Sequence, residues 1–477
     1  MRTGMILPIA SQMDQAGFEA IEIFASMFLK KVARDLREDV WERMRLVRKL
    51  ITKTPLRAIR GRTITAFHIN PASVDSLFVE RLAANGIREL RSSDPCNTMA
   101  NWRKMVRTAR EVGLDTIINL IFSVSPKHTD AYYIERAKGA AKLNVLRICL
   151  KDPGGLLTPE RIRTLVPAIL NNVGSIPVEL HTHCTTGLGP LCCLEAIKLG
   201  IRSINTAIPP LANGSSQPSV FNVAMNARAL GYWTLVDEAV LKPVEAHFTA
   251  IAKQEGLPIG KPVEYDYTYP IHQVPGRMIS KFRHQLAKLG MEHRMGEVLE
   301  EVGRVRAEFG YPIMVTPYSQ FVGVQGAMNV ILGERYKEVA DEVIQYAMGL
   351  WGEEESSSMD PNVRDKILSR SRAGELATFK APDTSIAELR EKLGGPGVSD
   401  DELLLRYFAG NDDVDAMKAA GPPQQYFSAK RPLVTLIEEL TKRKNCRQIY
   451  LRQRDLSIHL KKMSLPPSHH AAAVEDI

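Results

Sequence analysis

One pattern limits this 477-residue chain more than any other: short apolar runs alternate with amphipathic stretches through its first half. The strand-like runs are Ala20–Phe24, Leu56–Arg60, Glu89–Ser92, Thr116–Phe122, Val145–Leu150, Val178–His181 and Ser203–Ala207. Helical spacing is read between them over Trp41–Lys53, Ser73–Ala84, Trp102–Val112, Ala131–Lys142 and Pro159–Leu170. Strands that return parallel need crossover connections, and helices supply them. The expectation is an α/β chain of TIM-type (β/α)8 barrel architecture with its first strand missing, because only seven strands are visible.

Either the strand precedes Met1 in a reading frame assigned too late, or it has been lost; two unpaired sheet edges would be costly and prone to aggregation, which favours the first. The N-terminus carries no signal peptide pattern. Ile6, Ile9, Ala10 and Met13 recur at helical spacing, so the chain opens almost inside a helix. The barrel is expected to occupy residues 1–232 and a helical domain 233–445, with a short hairpin and disordered tail over 446–477. Helices are expected over Pro218–Gly231, Leu235–Glu255, Met278–Leu286, Met295–Phe309 and Gly326–Leu332, with smaller ones within Asp383–Gly410. Gly260–Tyr269 reads as a connector and Glu353–Ser358 as a solvated loop. Alternation within Gln448–Leu460 suggests the hairpin, and the Pro-, His- and Ala-rich Ser464–Ile477 suggests disorder.

Composition excludes several classes. A net charge of +8 is modest at this length, and Lys30-Lys31, Lys442-Arg443-Lys444 and Lys461-Lys462 read as solvated faces rather than a nucleic-acid site. No apolar stretch is long enough to span a bilayer. Six cysteines without a C-x-x-C pair fit a reduced cytoplasmic protein. No G-x-x-x-x-G-K-[ST] loop is present to bind a nucleotide.

Chemistry concentrates where apolar runs end in polar side chains. In Val178-Glu-Leu-His181-Thr-His183 the two histidines share one side of a strand, as a chelate for a divalent metal requires. The same spacing also suits a hydrogen-bonded strand end without a metal. Lys151 closes the run Arg147-Ile-Cys-Leu-Lys151-Asp152 at the strand end where barrel enzymes gather catalytic groups, or it forms a salt bridge with Asp152.

The chain resembles the carboxyltransferase subunits of biotin-dependent enzymes: the oxaloacetate decarboxylase alpha chain, the carboxyltransferase part of pyruvate carboxylase, and the matching transcarboxylase subunit. The resemblance rests on Glu38-Asp-Val-Trp41-Glu-Arg, Ser125-Pro126-Lys-His128-Thr129, Lys151-Asp-Pro-Gly-Gly-Leu-Leu-Thr158-Pro, His181-Thr-His183 and Val315-Thr316-Pro317, spread over most of the chain. It implies a helical cap over the barrel mouth and a divalent metal (Zn, Mn or Co) held by His181, His183 and a carbamylated Lys151. Thr316 is implied as the proton shuttle to biotin, with Arg60 gripping a substrate carboxylate and Asp94 and Asn97 near the substrate. The substrate implied is a 2-oxo acid, carboxylated or decarboxylated as in pyruvate and oxaloacetate chemistry. Biotin would arrive on a separate biotin carboxyl carrier protein loaded by a biotin carboxylase subunit, and the chain would form a homodimer.

Several residues depart from the family's pattern. Lys30 stands where an acidic residue is expected, Cys184 for an aspartate, Phe67 for a tyrosine, Arg277 for a glycine and Lys281 for an asparagine. The family's first-strand text Asp-Thr-Thr-Leu-Arg-Asp is absent from the sequence. Ala416-Met417-Lys418-Ala419 resembles a biotin attachment tetrad but lacks its second methionine and lies in a helical stretch. The departures keep a non-catalytic assembly or carrier-binding protein on the same scaffold as one alternative. A biotin-independent, metal-dependent aldol lyase is the other.

Overall fold

Strand order follows chain order in a single parallel sheet: β1 (Ile21–Ala25), β2 (Leu56–Gly61), β3 (Glu89–Ser93), β4 (Asp115–Ile121), β5 (Arg147–Asp152), β6 (Val178–Thr182) and β7 (Ser203–Ile204). These are the seven runs expected from sequence, six of them shifted by a residue or two at their ends and the last, read as Ser203–Ala207, ending three residues earlier. The computed structural model describes residues 1–64, 69–265, 267, 269–274, 276–378, 383–426, 436–437, 440, 448–453 and 456–461. Phe67, Pro275, Lys442-Arg443-Lys444, Lys462 and Ser464–Ile477 lie outside them, as do the side chains of Arg277 and Lys281. The chain divides into two units, Met1–Gln424 and Gln425–Ile477.

The sheet curls so that distant strands face one another. Glu19, just before β1, binds both Arg147 at the start of β5 and Ser203 at the start of β7. Arg57 on β2 reaches Glu179 on β6 at 3.1 Å, which only a concave face permits.

Helices on the outer face begin where the sequence supplies caps. Asp39 accepts from the Trp41 amide before Val40–Leu50, Thr129 from Tyr132 before Asp130–Ala141, and Thr158 from Arg161 before Pro159–Leu170. The N-terminal turn Thr3–Ile6 is anchored by the buried Glu38 carboxylate, which accepts from the Thr3 amide and hydroxyl and from Arg43, and the turn Ala10–Gln15 by Asp14, which accepts from the Thr52 and Thr54 amides. Ile6, Ile9 and Ala10 are buried, as their spacing predicted. The helix Glu238–Gln254 packs on this segment, His247 Nε2 donating to the Met5 carbonyl at 2.8 Å.

Three apolar cores result. One joins β4–β6 and their helices through Ile118, Ile148, Leu150, Leu165 and Leu180. A second joins the first strands to the small helices Ile386–Leu393, Asp400–Ala409 and Asn411–Ala419, with Phe408 edge-on to Phe78. The third fills the helical segment of residues 274–376, around Phe309, Tyr318 and Tyr346, and takes in Cys96 from the loop after β3. Gly326–Leu332 proves to be the end of a longer helix, Tyr318–Leu332.

Glu353–Ser358 corrects the reading of a solvated loop. Glu353–Ser357 is a short helix, and Glu355 and Ser356 are buried. Three successive glutamates suggested water, but Glu354 pairs with Arg136 and Glu355 with Lys127, so the acids are spent on cations across the chain.

In the second unit, β8 (Gln448–Gln453) and β9 (Leu456–Lys461) form the expected antiparallel hairpin. Among the described residues no helix is long and apolar enough to cross a membrane.

Candidate metal and substrate site

The concave face carries a chain of buried ions. Arg57 pairs with Glu89 at 2.7 Å and with Glu179, while Arg91 pairs with Glu179 at 2.7 Å and with Glu22 at 3.2 Å. Burial alone would raise the Glu179 carboxyl; Arg91 and Arg57 outweigh it and hold the group below its ordinary value. All these residues fall at alternate positions of their strands, so strand parity sends every one inward.

This network orients the first histidine. His181 Nδ1 lies 2.9 Å from Asn205 Oδ1, and Arg91 Nη2 donates to the same oxygen at 2.6 Å. Arg91 Nη1 sits farther from Nδ1, at 3.2 Å, so the contact to an oxygen that can only accept places the imidazole proton on Nδ1. His183 Nδ1 likewise donates to the Ser215 carbonyl at 2.6 Å. Both Nε2 lone pairs are thereby freed, and they converge at 3.2 Å. Burial presses the His183 imidazole down to about 4 and the His181 imidazole well below its ordinary value, with the Lys151 charge adding to both, so each ring is neutral near pH 7. Two neutral nitrogens this close suit a divalent cation: ligands about 2.1 Å from a tetrahedral metal stand about 3.4 Å apart. The Gln217 amide nitrogen lies 3.1 Å from one Nε2 and 3.0 Å from the other.

Lys151 and His181 are register partners on β5 and β6, side by side on the concave face. Burial lowers the Lys151 ammonium to about 8, helped by the Arg91 charge. The alternative pairing with Asp152 is not formed. Asp152 points to the other side of the strand, accepting from the Leu156 and Leu157 amides and from Thr182, each at 2.9 Å. Among the described residues Lys151 Nζ makes no hydrogen bond or ion pair, and no group of three or more His, Cys, Asp or Glu converges as a metal site. A lysine that gained an anionic oxygen by reacting with CO2 would add the missing negative ligand.

Lys151 also lines a cavity of about 290 Å³ together with Thr316, Met314, Ser26, Ile59, Arg62 and Trp351. The helical segment thus brings its Thr-Pro step to the same opening as the strand ends. Arg306 fixes the approach, donating to the Pro312 carbonyl at 3.1 Å and to Ser123 and Val124 at the end of β4. Tyr318 fixes the exit, its hydroxyl donating to the Trp351 carbonyl at 2.7 Å and touching Cys96.

The remaining expected residues lie elsewhere. Arg60 faces the outer helix and pairs with Asp75 at 3.1 Å, while its neighbours Ile59 and Gly61 line the cavity. Asp94 accepts from Thr98, Asn101 and the Cys96 amide, and Asn97 clasps the Ile121 backbone through both amide ends at 2.9 Å. Lys30 is exposed and Cys184 buried, and neither lines the cavity. Sequence reasoning assigned no role to Arg57, Arg62, Glu89, Arg91, Glu179, Asn205 or Gln217. The usable signal was charge at alternate positions of otherwise apolar strands, as in Glu89-Leu-Arg91 and Glu179-Leu-His181.

Comparisons with known proteins agree with this architecture. Residues 2–247 match the family described as HMGL-like, and residues 270–416 match the conserved carboxylase domain. The chain is 35% identical to a pyruvate carboxylase subunit of Methanocaldococcus jannaschii, over 77% of this chain and 65% of that one. It is 30% identical to the 2-oxoglutarate carboxylase large subunit of Hydrogenobacter thermophilus, over 86% of this chain and 64% of that one. It therefore spans just under two thirds of either relative's length. Against the methylmalonyl-CoA carboxyltransferase 5S subunit of Propionibacterium freudenreichii it is 30% identical, over 87% of this chain and 80% of the other. The carboxyl transferase domain of Rhizobium etli pyruvate carboxylase, solved with pyruvate, shares the fold with a TM-score of 0.78 at 24% identity, over 88% of this chain and 74% of that one. The curled sheet, the histidine pair at its mouth and these matches lead to one conclusion: the chain belongs to the HMGL-like family, among the carboxyltransferases of biotin-dependent enzymes.

Proposed function

We propose that the chain transfers a carboxyl group between carboxybiotin and a 2-oxo acid, with biotin supplied by a separate carrier protein. The observation that carries this reading is the shared cavity: Lys151, register partner of His181, and Thr316 line the same space. His181, His183 and a carbamylated Lys151 would hold the divalent cation (Zn, Mn or Co), which when bound polarises the substrate's keto oxygen as a Lewis acid. The residues here fit such a cation, because both histidines are neutral and have their Nδ1 atoms anchored.

Thr316 has a different task. Its hydroxyl both donates and accepts, so it can take a proton from the substrate's methyl carbon and pass it to the ring nitrogen that gives up its carboxyl group. The partners would be a biotin carboxyl carrier protein and a biotin carboxylase subunit, with a second copy of this chain in a homodimer. A cytoplasmic setting suits Cys96, Cys149, Cys184, Cys192 and Cys193, all free thiols in the interior.

The test is carboxyl transfer from a carboxylated carrier to pyruvate or 2-oxoglutarate, or oxaloacetate decarboxylation in the presence of biotin. Thr316→Ala should lower turnover by about 10²–10⁴-fold, the usual worth of a positioned proton donor, while metal content stays the same. Unchanged turnover in that variant would favour a biotin-independent aldol lyase. Carrier binding with no turnover in the unaltered protein would favour an assembly role.

A further inference from the structure

The tip of Gln217 completes a triangle with the two histidines. Its amide nitrogen stands 3.1 Å from His181 Nε2 and 3.0 Å from His183 Nε2, and those two nitrogens stand 3.2 Å from each other. Three nearly equal edges of this length are close to one face of a metal coordination tetrahedron, whose ligands lie about 3.4 Å apart when each is about 2.1 Å from the ion.

An amide nitrogen cannot ligate, but the other end of the same group can. A half-turn about the last side-chain bond exchanges Nε2 and Oε1 with almost no change in shape. Which end faces the histidines depends on what lies between them. With no cation, two imidazole lone pairs 3.2 Å apart need a donor, and the NH2 end provides two N–H groups. With a cation, the lone pairs are occupied and the ion attracts the carbonyl end. Ser216 Oγ now donates to Gln217 Oε1 over a long 3.3 Å contact. A hydroxyl accepts as readily as it donates, so it can pair with the NH2 end after the half-turn.

We infer that Gln217 is a further protein ligand of the divalent cation beside His181, His183 and the carbamylated Lys151, binding through Oε1 after its amide turns over, and that without the cation the same side chain caps the two histidines. The inference rests on the metal-binding reading of His181 and His183. It adds a neutral, hard oxygen to two imidazole nitrogens and the Lys151 carbamate oxygen, a donor set that accepts Mn²⁺ as well as Zn²⁺.

The experiment is calorimetric titration of the metal-depleted full-length chain with Mn²⁺, comparing the unaltered protein with Gln217→Ala and Gln217→Glu. Thermal melting and circular dichroism of the metal-free variants check that each is folded. The expected result is that Gln217→Ala weakens Mn²⁺ by about 10–100-fold, whereas Gln217→Glu, which keeps an oxygen at that vertex, binds at least as tightly as the unaltered chain. Equal or tighter binding by Gln217→Ala, with the unaltered chain binding Mn²⁺ normally, would overturn the inference and leave Gln217 as a cap alone. No uptake of Mn²⁺ by the unaltered chain would remove the two-histidine site itself, and this inference with it.

Discussion

Arg91 shows how a single residue couples the barrel's interior to its site. It neutralises Glu179 and Glu22 and shares Asn205 with His181, so its removal leaves two carboxylates without their partner and loosens the ring. Arg91→Gln should cost about 3–5 kcal/mol, the usual penalty for breaking a buried pair, read as a lower urea midpoint. Lys151 makes the opposite point. Its ammonium is pressed from 10.5 down to about 8, so between those values the unfolded chain holds a proton that the folded chain has released. This group's contribution to stability therefore rises with pH across that window and is unfavourable below it. Lys151→Met should stabilise the metal-free protein at pH 7 in CO2-free buffer by up to about 3 kcal/mol, converting the shift at about 1.4 kcal/mol per unit. An unchanged denaturation midpoint in Lys151→Met would contradict this. His181, His183 and Lys151 were legible in the sequence because polar residues interrupt apolar strands there. The inward Arg57 and the outward Arg60 were distinguishable only by strand parity, which a resemblance by motif does not consult.

At the scale of elements, the segment after β4 gives the clearest case. His128 is buried with its Nδ1 2.6 Å from Ser125 Oγ, and burial, with the Arg306 and Lys127 charges, lowers its imidazole to about 3. Below pH 6.5 the unfolded chain takes up a proton that this ring refuses, so stability falls by about 1.4 kcal/mol per pH unit until about pH 3. His128→Asn should flatten that acid limb in denaturation measured between pH 4 and pH 6; an identical slope would contradict the account. The strands and most helices were readable from periodicity and caps. Glu353–Ser357 was not, because its glutamates find their cations, Lys127 and Arg136, more than two hundred residues away. Local composition has no access to such a partner.

Across the whole molecule, the same limit applies to the small helices of residues 386–419. Their amphipathic pattern was visible, but not that Leu403, Leu404, Leu405 and Phe408 share a core with Trp41 and Phe78 on the barrel's own helices. Phe408→Ala should cost about 3–5 kcal/mol through the cavity it leaves beside Phe78. A chain ending near residue 384 should expose that apolar face and aggregate, as light scattering would show. The helical segment carrying Thr316 is likewise tied to the strand ends by Arg306, whose three contacts set where the threonine meets the cavity.

All of this turns on one ion position. Crystals grown with Mn²⁺ or Zn²⁺, measured at the metal's absorption edge, should show a single anomalous peak about 2.1 Å from both His181 Nε2 and His183 Nε2, with Lys151 extended toward it. A peak elsewhere, or none between the two rings in metal-saturated crystals, would contradict the account.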